Sequence, residues 1–120
     1  MSERRFPRSV YSRGSEPDAR FSLANERTFL AWLGTALALL SVGVGLESLA
    51  LGLHPGYRLA AALVLVAGGM ACAVQAWFGW QRVEVALREA HPLPSPPMLV
   101  LLPVVVVVAG VLVLLGSVAG

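Results

Sequence analysis

The chain is 120 residues long, 57% hydrophobic and only 13% charged, with a formal net charge of +2. A water-soluble domain usually carries about a quarter charged residues, so the composition excludes an ordinary soluble fold, and so small a net charge makes no case for nucleic acid as a partner. The single cysteine, Cys72, excludes an intrachain disulfide and a cysteine cluster for zinc or iron–sulfur.

The first segment, residues 1–21, is polar, contains Pro, Gly and Ser, and has no apolar periodicity. It reads as a flexible basic tail, whose arginines could rest on anionic lipid headgroups. Residues 22–120 read as a membrane domain. A bilayer core about 30 Å thick needs about 20 apolar residues per helix, and three segments qualify, at about 28–49, 58–80 and 98–118.

The first span is uncharged from Phe29 to Leu46 and ends at Glu47. It is too long for the apolar part of a signal peptide, and four acidic residues precede it, so it reads as a retained span. Ser22 or Asn25 is expected to cap it, which places Glu26 and Arg27 in its first turns. Glu26 suits the positive end of the helix dipole and Arg27 does not, so Arg27 needs another reason to be there. Reading by threes and fours gives Ala24, Arg27, Ala31, Gly34, Ala38, Ser41 and Gly45, a seam of small residues with one charge in it. Small residues are what let membrane helices approach closely. The expectation is a helix-packing seam with Glu26 and Arg27 paired at its rim, and Glu47 marking the opposite face of the bilayer.

The turn "LHPGY" at 53–57 leads into the second span, Leu59 to Trp80, whose one strongly polar side chain is Gln75. Its stripe of Ala61, Gly68, Cys72, Gln75, Gly79 and Arg82 casts Gln75 as an interhelical hydrogen-bonding residue, or as part of a polar path with Arg82. Cys72 is expected to pack as a small apolar side chain. "QRVEVALREA" reads as an extension of that helix beyond the membrane, with Glu84 and Arg88 at i,i+4 spacing. The four prolines of "HPLPSPP" at 91–97 must end it. His54 and His91 lie in the two loops and read as solvated. The third span, Met98 to Val118, carries a valine run that would suit a strand in water. In hydrocarbon it must be a helix, because only a helix satisfies its own backbone there. Being bulky almost all round, it is placed nearest lipid.

The fold class is therefore an all-α integral membrane protein with three transmembrane helices. Eight of the nine arginines fall in the tail, at its junction with the first span, or in the second loop; only Arg58 lies in the first loop. By the positive-inside rule the amino terminus is cytoplasmic and the carboxyl terminus outside, in the plasma (inner) membrane.

"RFSLANERTFLAW" followed by "TALALLSVGVGLE" resembles the YidH-like family of small inner-membrane proteins, a domain of unknown function, over most of the chain. It is also similar to the transmembrane domain of the eukaryotic vacuolar transporter chaperone. That resemblance implies copies assembled around a path for polyphosphate, with Arg27, Arg20 and Arg82 as basic residues at its mouth. Gly34 departs from the pattern, since typical YidH-like members carry an arginine there. A conducting ring built on that arginine would lack one positive charge per subunit.

An enzyme is not expected: there is no His or Cys cluster, no phosphate-binding glycine loop and no convincing acid–base pair. No metal or cofactor is expected either. Two readings stand. One is a non-enzymatic homo-oligomeric assembly or accessory subunit, partnered by lipid and by itself. The other is an oligomeric pathway for an anion or polyanion such as polyphosphate, with Glu26, Arg27, Gln75, Arg82 and Glu47 as its charged rim or path.

Overall fold

The computed structural model describes residues 4–49 and 51–119. Among them four helices follow one another and there is no strand: α1 (Arg8–Tyr11), α2 (Ala19–Ser48), α3 (Pro55–Arg88) and α4 (Met98–Ala119). The last three are long and apolar enough to cross a membrane. At 1.5 Å per residue, α2 and α3 run to about 45 and 51 Å, so both outreach a hydrocarbon core.

At the amino-terminal ends the extra length follows from where the helices are capped. Asp18, not Ser22 or Asn25, is the N-cap of α2: its side chain accepts from the Arg20 amide, and the helix starts at Ala19. At the start of α3 the His54 ring accepts from the Gly56 amide at 3.1 Å, and Pro55 takes the first helical position, where its missing N–H costs nothing. His54 is exposed but is the cap of α3, not a bystander. The predicted extension is simply the last turns of α3, which stop where Ala90 turns to φ 55° and the prolines begin.

Helix α3 stands in the middle, with α2 on one side and α4 on the other. Its adjacent glycines divide the work. A Cβ on Gly69 would meet the Ala36 carbonyl and Leu40 of α2, and one on Gly68 would meet Val105 of α4. Gly43 of α2 returns the close approach against Ala62 and Val66. Around these contacts lie Leu39, Leu46, Ala61, Leu65 and Ala109, and nearer the tail Ala36, Cys72 and Met98. Cys72 is fully buried, its thiol directed at the Trp32 carbonyl.

The face that α2 turns inward is thus Asn25, Ala36, Leu39, Gly43 and Leu46. The expected seam lies elsewhere on the helix. Ala24, Arg27, Ala31, Gly34, Ala38 and Ser41 are all exposed, and Gly45 is half-buried. Within one chain, that seam is not the packing face.

Candidate functional site

The polar chemistry of the molecule gathers where the start of α2 meets the end of α3. Glu84 is almost wholly buried there, at 2% exposure, and Asn25 is buried beside it. Ser22 donates its hydroxyl to one Glu84 oxygen at 2.7 Å. The Asn25 amide donates to the other at 3.2 Å and to the Trp80 carbonyl at 3.1 Å. A buried carboxyl group is costly unless hydrogen-bonded, and these two side chains supply what it needs.

Glu84 and Arg88 do not pair with each other, although their spacing puts them on one face. Arg88 turns to the tail instead. Its guanidinium donates to the Arg13 carbonyl at 2.8 Å, the Tyr11 carbonyl at 3.0 Å and Glu16 at 2.9 Å. The Ser15 amide closes the contact by donating to the Arg88 carbonyl at 2.9 Å. Arg5 and Arg13 form forked pairs with Glu16 and Glu89, and Arg5 also lies over the Tyr11 ring. Hydrogen bonds from Arg5 and then Arg88 pull the Glu16 carboxyl down to about 2. Arg13 lowers Glu89 in the same way. Tail residues expected to be flexible are therefore laid along the end of α3, with Phe6 stacked on Trp77 and Tyr11 tilted against Trp80. A three-way arginine clamp outweighs what the tail's polar composition suggests.

The other predicted residues are scattered. Glu26 and Arg27 are exposed, and neither has a hydrogen bond or ion pair among the described residues. They cannot pair with each other, because consecutive helical residues point about 100° apart. Glu47 lies at the far end, bonded to Arg58 at 3.3 Å. Gln75 and Arg82 do come together, on the wall of a cavity of about 280 Å³ between α2, α3 and the proline-rich connector. Among the described residues Gln75 makes no interhelical bond: its Oε1 is buried without a partner. The amide lies back over Gly79 of its own helix, and the wall it faces across the cavity is largely aromatic.

The family model described as Domain of unknown function (DUF202) matches residues 20–86, which takes in nearly all of α2 and α3. The chain belongs to this family. DUF202 relatives include inner membrane protein YidH of Escherichia coli and of Shigella flexneri, each 44% identical over 104 residues, covering 84% of this chain and 89% of YidH. An uncharacterised protein of Mycobacterium tuberculosis is 43% identical over 100 residues, 82% of each chain. No solved structure matches. With relatives named as inner membrane proteins and three helices of spanning length, this DUF202 chain is a multi-pass inner-membrane protein.

The DUF202 match holds Ser22, Asn25, Gln75, Arg82 and Glu84, whereas Tyr11, Arg13, Glu16 and Arg88 lie outside it. Asn25 and Glu84 were visible in the sequence only as a cap and as a surface pair. The signal that finds Glu84 is the step of four along α3: Cys72, Ala76, Trp80, Glu84 and Arg88 are all buried. A step of three from Cys72 leads instead to Gln75, and seven residues further to the exposed Arg82.

Proposed function

We propose that this chain is a non-enzymatic subunit of an inner-membrane homo-oligomer, assembled through the outward small face of α2. The observation that carries this is the open state of that face. Ala24, Ala31, Gly34, Ala38 and Ser41 are exposed, and nothing lies within 4 Å of where a Cβ on Gly34 would be. Gly43 on the same helix is already used against α3. Small residues favour close backbone approach between membrane helices.

The charges support a second copy of this chain as the occupant. All copies inserted in one direction hold Glu26 and Arg27 at one depth. Each copy then offers its neighbour a carboxylate where that neighbour's Arg27 has no partner among the described residues. The arginine excess at the tail end supports a cytoplasmic rim, with the carboxyl terminus outside.

The test is the mass of the assembly in lipid nanodiscs, with cross-linking in native membranes. Ala31→Leu and Gly34→Leu should reduce the oligomer to monomer. A wild-type protein that is monomeric, or an oligomer indifferent to both changes, would refute the reading. A second reading, a ring of copies lining a path for an anion, draws on the exposure of Arg27 and on its having no ion pair among the described residues. Under it, Arg27→Ala abolishes phosphate or polyphosphate flux through liposomes and leaves the oligomer intact. Under the first reading the same change loosens the oligomer.

A further inference from the structure

The cavity that Gln75 and Arg82 border shares Ala24 with the assembly face but none of its other small residues, and its chemistry points to a ligand. Its walls are apolar, made of Phe21, Phe29, Trp32, Trp80 and Leu93, and its polar groups are few. Arg82 is exposed at its edge and has no ion-pair partner among the described residues. Gln75 Oε1 is buried with no hydrogen bond. A buried polar atom left unpaired is costly, so a group that satisfies it gains by binding there.

Gln75 and Arg82 also border a second, shallower hollow on the other side of α3, lined by Met70, Val74, Phe78 and Pro97. They are the two residues common to both hollows. The surface therefore has a polar ridge with an apolar trough on each flank. Glycine places the ridge's inner member: the Gln75 Nε2 lies 2.7 Å from where a Cβ on Gly79 would be. The amide thus stands near the level of residue 79, about 4.5 Å of helix from Arg82.

We infer that this ridge and its two troughs form a binding site for an anionic glycerophospholipid of the surrounding leaflet. The phosphate lies against Arg82, as phosphates do against basic pockets between membrane helices. The glycerol ester region lies one step deeper, within reach of the Gln75 amide. That amide can present either end, since a half-turn about its last bond exchanges oxygen and nitrogen. One acyl chain lies along Phe29 and Trp32 and the other along Val74 and Phe78. Trp77 and Trp80 stand at the level expected of headgroups.

The site is tested by native mass spectrometry of the full chain released from membranes in mild detergent, with the retained lipid identified. Wild type should carry one anionic phospholipid per chain. Arg82→Gln and Gln75→Leu should each reduce retention at least tenfold, with helicity by circular dichroism unchanged. Gly79→Ala should do the same by displacing only the Gln75 amide, while the exposed Arg8→Gln, which removes a charge elsewhere, should not. Delipidated protein is then titrated with dihexanoyl phosphatidylglycerol, dihexanoyl phosphatidylcholine and glycerol 3-phosphate, following tryptophan fluorescence. At least tenfold tighter binding of phosphatidylglycerol than of the other two supports the assignment. Retention unaffected by Arg82→Gln and Gln75→Leu overturns the site. Equal binding of glycerol 3-phosphate overturns a lipid as its occupant and assigns it to a soluble phosphate.

Discussion

Two glycines on α2 should respond in opposite directions to the same substitution. In Gly43→Ala, the new Cβ would stand 2.8 Å from a Val66 methyl, 3.0 Å from the Ala62 carbonyl oxygen and 3.2 Å from Leu65 Cβ. The carbonyl is backbone and cannot rotate aside, so α2 and α3 must move apart. Overpacking of this kind costs about 1–3 kcal/mol. In Gly34→Ala the new methyl meets nothing within 4 Å. Both changes gain the same helix propensity, about 1 kcal/mol, so that gain cancels in the comparison. The difference between the two variants, about 1–3 kcal/mol with Gly43→Ala the less stable, reports helix packing alone. It is measured by unfolding in mixed micelles with increasing SDS, at a dilution where the chains are single, following far-ultraviolet circular dichroism. Equal midpoints for the two variants would refute the assignment of the inward face of α2.

Glu84→Leu removes the acceptor for Ser22 and one of two for Asn25; a loss of about 1–3 kcal/mol is expected in the same titration, and Glu84→Gln should lose less because it keeps an acceptor. The Glu16 carboxyl, held at about 2 against an ordinary 4.5, favours the docked tail above pH 4.5. That contribution fades as the pH falls through about 2, so the protection factor of the Ser15 amide, its exchange rate corrected for the intrinsic pH dependence, should be high at neutral pH and fall at the acid end; a loss of protection centred near neutrality would contradict the pairing. Gly14→Ala should undock the tail at every pH, because Gly14 has φ 55° and an added Cβ would land on the Arg88 carbonyl; Tyr11 and Phe6 would then leave Trp80 and Trp77, altering tryptophan emission.

The three long helices were legible in the sequence because hydrocarbon leaves an apolar run no alternative to a helix. Their ends were less so. Asp18 and His54 cap through side chains whose partners lie two residues on, and several residues near each start could have done the same. The face of α2 that meets α3 was not legible for a definite reason: the helix carries small residues on two faces. Ala36 and Gly43 lie on one, and Ala31, Gly34 and Ala38 on the other, so size alone does not say which meets α3. The clamp on Arg88 was hidden more deeply. Two of its three acceptors on the tail are main-chain carbonyls, which any sequence possesses and none advertises. Gln75 and Arg82 were singled out together because they share a stripe, and the structure does set them on one wall.

The separation of 75 residues between Arg13 and Arg88 sets an order of events during synthesis. The tail leaves the ribosome first, and its binding groove does not exist until α3 has been translated. At 5–20 residues per second that delay is about 4–15 s. Throughout it the guanidinium group of Arg13 lacks the Glu89 carboxylate that later holds it, and it remains available to the insertion machinery as an orientation signal. The groove forms only if α2 and α3 have crossed as a hairpin that returns the end of α3 to the tail's side. A chain inserted with α3 left in the wrong compartment would keep its amino terminus undocked and open to proteases. The tail can therefore dock only after both crossings have been completed.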